Sequence, residues 1–276
     1  MKFYKYHGAG NDFLIADGRG KHLMPGAEDI AEICDRHTGF GADGVMILED
    51  CADADFRMRY YNSDGSGGMM CGNGGRCIVA FAADLGYGSF VFEAPDGRHV
   101  AHLLSDAAPF SGQQRSVKLK MKDVAGAVRW PDGWFLDTGT RHFVKFTDDG
   151  TVTDVVAEGR RLRNESRFAP AGVNVNFVRA DADGSLVVRT YEKGVEDETL
   201  ACGTGIVASA LASWLETSRI GGNLPEKVRV KARISELSVS FTPRFEGEPA
   251  PENFRAEDVW LEGPAVYVGE VVTPRF

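Results

Sequence analysis

Cys71-Gly72-Asn73-Gly74-Gly75-Arg76-Cys77-Ile78-Val79-Ala80-Phe81-Ala82-Ala83-Asp84-Leu85 and Cys202-Gly203-Thr204-Gly205-Ile206-Val207-Ala208-Ser209-Ala210-Leu211-Ala212-Ser213-Trp214-Leu215 are two versions of one pattern, one in each half of the chain. Each sets a Cys-Gly-polar-Gly element ahead of a run that reads as a helix, over residues 76–85 with a stop at Gly86, and over residues 206–215. The second run is apolar nearly all round, and a helix without a polar face has to be buried on every side. Most of the remaining pattern is strand. The expected fold class is therefore α/β (α+β), with two pseudo-symmetric domains. Each is a curled, mainly antiparallel mixed sheet around a central buried helix.

Strand signals run over residues 56–61, 89–93, 116–121, 142–146, 173–178, 186–191, 227–231 and 237–241. Most alternate apolar and polar residues, as half-buried antiparallel strands do. Asp132-Gly133, Asp149-Gly150 and Asp183-Gly184 supply hairpin turns. One further helix is expected over Ala27–His37, with Ile30, Ile33 and Cys34 on one face. The polar stretch from Ser105 to Ser116, with Pro109 and Gly112, is the best boundary. It divides the chain into residues 1–112 and 113–262, with 263–276 completing the first domain. Residues 246–253 read as a surface loop.

The chain has 276 residues, 43% of them hydrophobic, and a formal net charge of −9. That length suits two domains of ordinary size. No apolar run reaches the roughly 18 residues of a membrane span. The first residues, Met1-Lys2-Phe3-Tyr4-Lys5-Tyr6-His7-Gly8, lack the apolar core of a signal peptide, so a cytoplasmic location is expected. An acidic chain without a Lys/Arg cluster argues against nucleic acid as a partner. Five cysteines fit neither a secreted disulfide framework nor a zinc site, because no Cys-x-x-Cys pair is present. No metal is expected. Gly65-Ser66-Gly67-Gly68 is not followed by the Lys-Ser/Thr of a phosphate loop.

The paired cysteines point to one reaction type. A Cys at the first turn of a buried helix sits beside free backbone N–H groups, which bind an anion and lower the thiol pKa. Gly72, Gly74, Gly203 and Gly205 leave a ligand free to approach that backbone. Thiols need only a modest shift from about 8.5 to supply thiolate near neutral pH. Two of them, one removing a proton from carbon and the other delivering one to the opposite face, invert a stereocentre. The plain alternative for each cysteine is a small buried hydrophobe. The matched glycine-flanked settings favour function.

The motifs His7-Gly8-Ala9-Gly10-Asn11-Asp12-Phe13, Gly41-Ala42-Asp43-Gly44, Tyr61-Asn62-Ser63-Asp64-Gly65, Cys71 through Cys77, Gly172-Val173-Asn174-Val175-Asn176-Phe177 and Glu198-Thr199-Leu200-Ala201-Cys202-Gly203-Thr204-Gly205 together resemble the diaminopimelate epimerase family over nearly the whole chain. The resemblance implies a cofactor-independent epimerase that interconverts LL- and meso-diaminopimelate for lysine and peptidoglycan precursor synthesis. It also implies an active site in the interdomain cleft and a homodimer. Cys71 and Cys202 become the base and acid. Gly72, Asn73, Gly203 and Thr204 supply backbone N–H groups to the carboxylate at the reacting carbon. Asn11, Asp43, Asn62 and Asn174 line the substrate pocket, with Glu192 and Lys193 on the charged groups of the substrate. His142 reads either as a structural histidine at a strand start or as a group near the reacting ammonium. His7 reads as a support for the loop that presents Asn11.

Three departures stand out. Lys193 follows Glu192 where the family has Arg, so a forked clamp becomes a point charge. Gly139-Thr140-Arg141-His142 stands for Gly-Asn-Pro-His, leaving Arg141 as a possible replacement donor. The loop before Cys202 is one residue longer. The alternatives are a racemase of the same fold acting on proline or hydroxyproline, and a thiol redox sensor.

Overall fold

A computed structural model describes residues 1–105, 107–147 and 154–274. The chain separates into two compact units, residues 1–119 with 263–276, and residues 120–262. In the first unit the order is β1 (Lys2–Gly8), β2 (Asn11–Asp17), α1 (Ala27–Cys34), β3 (Gly44–Glu49), β4 (Phe56–Asn62), α2 (Gly72–Asp84), β5 (Val91–Ala94), β6 (Gly97–Leu103) and β7 (Arg115–Lys120). The second continues with β8 (Val124–Ala125), β9 (Val128–Trp130), β10 (Gly133–Asp137), β11 (Arg141–Phe146), α3 (Val155–Arg163), β12 (Asn174–Ala180), β13 (Leu186–Glu192), β14 (Asp197–Thr199), α4 (Gly203–Arg219), β15 (Lys227–Lys231) and β16 (Glu236–Phe245). The last strand, β17 (Phe254–Val272), gives its first part to the second unit and its end to the first.

The two units repeat one plan. In the first, β1 and β2 are antiparallel, β2 and β3 parallel, β3 and β4 antiparallel, β4 and β5 parallel, and β5 and β6 antiparallel. In the second, β10–β11, β11–β12, β12–β13, β13–β15 and β15–β16 follow the same alternation. A helix bridges each parallel pair at the same place in the order. Sequence similarity between the halves is confined to the Cys-Gly elements and their helices; the repetition is much wider in structure. Backbone pairing and burial conserve a topology that side chains no longer advertise.

At the centre of the first unit, α2 packs against β1, β2, β3 and β6. All its residues except Ala83 are buried. Ile78, Val79 and Phe81 are fully enclosed, each contributing roughly 1.5–3 kcal/mol of burial. In the second unit α4 takes the same place against β10 to β13, β15 and β16. Both helices start earlier than their apolar runs, at Gly72 and Gly203, with Cys71 and Cys202 as N-caps. Glycine is a poor helix former in isolation, so a propensity reading starts the helix too late.

Helix α1 ends at Cys34, short of the expected His37. The Asp35 carboxylate takes the N–H groups of His37 (2.8 Å) and Thr38 (2.6 Å), and that local turn competes with another helical turn. Residues 107–114 of the expected boundary lead from β6 to β7 inside the first unit, which extends to Leu119. Residues 246–253 connect β16 to β17 and are largely exposed, with a 3₁₀ turn at Pro251–Asn253. The expected turn at Asp149-Gly150 lies outside the described residues.

Candidate active site

In the first unit, the β1–β2 hairpin carries Ala9 and Gly10 at its tip, both with positive φ (55° and 90°). That is the requirement of a tight two-residue hairpin, met here by a buried alanine in a conformation alanine rarely takes. The hairpin presents Asn11 directly against the start of α2. A Cβ on Gly8 would stand 2.9 Å from the Asn73 carbonyl oxygen, so only glycine permits this approach. The His7 ring braces the turn through the Gly10 N–H (3.4 Å).

Cys71 caps α2 by accepting the Gly74 N–H at its sulfur, 3.3 Å away. Its thiol lies 3.9 Å from Asn11 Oδ1, which also receives the Asn73 amide at 3.4 Å. Asn11 donates in turn to Asp43 (2.6 Å). Asp43 is held by the Asp12 N–H (3.2 Å) and by Arg36 (2.6 Å), which also pairs with Asp12. Asp43 thus orients Asn11. Asn62 ends β4, and its side chain donates to the Ser66 hydroxyl of the following turn at 3.0 Å. It does not join the hydrogen bonds around Cys71.

In the second unit, His142 leads β11 and is wholly buried. The Asn176 amide donates to His142 Nδ1 at 3.0 Å, and Asn176 Oδ1 accepts from the Thr190 hydroxyl at 2.9 Å. A ring nitrogen that accepts is unprotonated, so Nε2 carries the hydrogen. Burial pushes the imidazole down to about 3, which keeps it neutral. Nε2 faces the hydroxyls of Thr140 (2.9 Å) and Thr204 (3.0 Å), and Thr204 Oγ1 lies 3.5 Å from Cys202 sulfur. Thr140, the residue in place of the family's asparagine, therefore joins the group. Arg141 does not; its guanidinium is taken by the Phe168 carbonyl (3.3 Å) and stacks on Phe135.

Asn174 accepts the Lys193 backbone N–H at 2.8 Å and donates to the Arg141 carbonyl at 3.4 Å. The Lys193 ammonium bonds the Ala171 carbonyl (3.2 Å). Glu192, at the end of β13, has its carboxyl pushed above the usual range by burial. Gly203 and Thr204 form the first turn of α4, the counterpart of Gly72 and Asn73. Asn176 is the residue the sequence reading passes over. Its signal is its spacing, since Asn174 and Asn176 share one face of a strand whose other residues on that face, Val178 and Ala180, are apolar.

The diaminopimelate epimerase family profile matches residues 3–117 and 134–241. The chain belongs to the diaminopimelate epimerase family. A family member from Flavobacterium psychrophilum is 39% identical over 274 residues, covering 98% of this chain and 99% of that one. One from Chlorobaculum tepidum is 40% identical over 276 residues, covering 96% and 98%. The fold is also that of a probable proline racemase from Agrobacterium radiobacter, with a TM-score of 0.65 at 16% identity over 99% of this chain and 92% of that one.

The duplicated register allows the surroundings of the two cysteines in this family member to be compared position by position. Phe13 opposite Gly44 corresponds to His142 opposite Asn174. Two residues on, Met46 opposite Tyr60 corresponds to Asn176 opposite Thr190. A Cβ on Gly74 would touch Met46 and Phe13, and one on Gly205 would meet Asn176 and His142. The floor beneath the first turn is apolar and aromatic under α2 and hydrogen-bonded under α4.

Proposed function

We propose that this protein interconverts LL- and meso-diaminopimelate by two-base proton transfer at Cα, with Cys71 and Cys202 as base and acid. The observation that carries this reading is the pair of cysteines capping two enclosed helices at equivalent places, each followed by glycine-rich turns. Its support is membership of the family and relatives of the same name over nearly the full chain.

One thiolate removes the Cα proton while the other thiol delivers a proton to the opposite face. Negative charge flows from carbon into the adjacent carboxylate. The backbone N–H groups at the starts of α2 and α4, around Gly72, Asn73, Gly203 and Thr204, stabilise that charge as it grows. No metal or cofactor is needed for this step. After turnover the protonation states of the two cysteines are exchanged, so each direction starts from a different thiolate. Neutral His142 accepts from Asn176 and donates at Nε2, which leaves the Thr204 hydroxyl hydrogen for the Cys202 sulfur and steadies its thiolate. In this reading Asn11, Asn174, Glu192 and Lys193 recognise the polar groups of the substrate, and Asp43 holds Asn11. Asn62 acts chiefly on its turn. The same reading makes the protein a cytoplasmic homodimer that supplies precursors for lysine and peptidoglycan.

The test is Cα hydrogen exchange in deuterated water, with LL-diaminopimelate, proline and hydroxyproline run in parallel. Exchange and epimerisation are expected with diaminopimelate alone, and either Cys71→Ala or Cys202→Ala should abolish epimerisation. Exchange with proline only would overturn the substrate. Full activity in both variants would overturn the two-thiol mechanism.

A further inference from the structure

Among the described residues Arg76 is the largest fully buried side chain, with 0% exposure, and it sits in the first helical turns of α2, five residues after Cys71. Its guanidinium bonds the Gly72 carbonyl (3.1 Å), Asn73 Oδ1 (2.7 Å) and the Pro264 carbonyl (3.3 Å). Every one of these acceptors is uncharged. Among the described residues Arg76 makes no ion pair with a carboxylate. A desolvated cation without a counter-charge is unfavourable, and a fold retains one only where other interactions offset it.

We infer that Arg76 is a positioning residue for the Cys71 half-site: it clamps the first turn of α2 from within and serves as the fixed counter-charge of the Cys71 thiolate. This rests on the reading of Cys71 as an acid–base group.

The hydrogen bonds give the clamp. Arg76 takes Asn73 Oδ1, which turns the Asn73 amide toward Asn11 Oδ1, and Asn11 then gives its own amide to Asp43. The carboxamides of Asn73 and Asn11 thus have their orientation set by the guanidinium at one end and the Asp43 carboxylate at the other. The bond to the Gly72 carbonyl holds the same first turn whose Gly74 N–H caps the Cys71 sulfur.

Burial pulls Arg76 down to about 10, so it stays protonated at neutral pH. Among the described groups, the charges that bear on Arg76 are those of Cys77 and then Cys71. Cys77 is fully buried and held as a thiol, its pKa raised by burial. Around the same turn, Tyr60 from β4 is held neutral by burial, while Asp12 and Asp43 are occupied by Arg36, with Lys5 also on Asp12. Cys71, half-exposed at the N-cap, is left as the group that can ionise against Arg76. In the other unit the fifth residue after Cys202 is Val207, buried and uncharged.

The experiment follows iodoacetamide alkylation of each cysteine against pH by peptide mass spectrometry, in the ligand-free protein, so it needs no turnover. Arg76→Gln and Arg76→Met are expected to raise the Cys71 midpoint by ~1–2 pH units, with Cys202 unmoved as internal reference. Arg76→Lys, which keeps the charge, should restore most of that shift. An unchanged Cys71 midpoint in a folded neutral variant overturns the proposal. If neither neutral variant folds, the two wild-type midpoints decide: Cys71 below Cys202, which caps the same kind of helix without a buried arginine, supports it, and Cys71 at or above Cys202 overturns it. Loss of the two-thiol mechanism would show instead as epimerisation surviving Cys71→Ala.

Discussion

A neutral histidine at the bottom of a protein core is a liability in acid, and His142 makes this measurable. Its folded-state pKa of about 3 lies below the ordinary 6.5, so between those values the unfolded chain binds a proton that the folded chain refuses. Stability from this group is therefore complete above pH 6.5 and falls as pH drops, by about 1.4 kcal/mol per pH unit at most. Urea denaturation at pH 7 and pH 4.5 should show that loss in the wild type. His142→Gln, which cannot titrate, should flatten the difference, whatever it does to stability at pH 7. Residues of this kind are partly legible from sequence. Cys71, Cys202 and Asn11 announce themselves through glycine and asparagine at fixed spacing. Asn176 does not, because an asparagine in a strand usually marks an edge or a turn. The partners that give it meaning, His142 and Thr190, are 34 and 14 positions away.

The helices were legible as objects and not as contacts. An all-round apolar run says that a helix is enclosed, and α2 and α4 are. It says nothing of how closely the sheet approaches. Gly205 shows the distance: a Cβ there would lie 2.4 Å from Asn176 Oδ1 and 3.3 Å from the His142 ring. Gly205→Ala should therefore cost ~1–3 kcal/mol, read as a lower urea midpoint at unchanged slope. A Gly-to-Ala change inside an ordinary exposed helix is stabilising instead, so the sign alone tests the packing. The strand signals failed where alternation was weak or interrupted. β2 and β3 are almost continuously buried, and such runs do not alternate. β17 contains Gly263-Pro264, which reads as a break although the strand continues through it.

For the whole chain, the assignment of residues 263–276 to the first unit makes a prediction that local sequence could not. The end of β17 pairs with β1 from Lys2 opposite Val272 to His7 opposite Val266. Pro264 in the same segment supplies a carbonyl to Arg76. Ending the chain at Glu262 should strip hydrogen-exchange protection from β1 and α2, while β16, paired with the earlier part of β17, keeps its own. Intact protection in β1 would show that the segment is dispensable. The repeated strand order has a consequence of a different kind. An assembly of two identical copies must build the same residues under both of its bases, and any substitution is imposed twice. One chain that encodes the plan twice escapes that constraint. It can furnish Phe13, Met46 and a buried arginine in one copy, and His142, Asn176 and Thr190 in the other. Mirror-image halves of a reaction can then be tuned by separate mutations, each inherited independently of its counterpart.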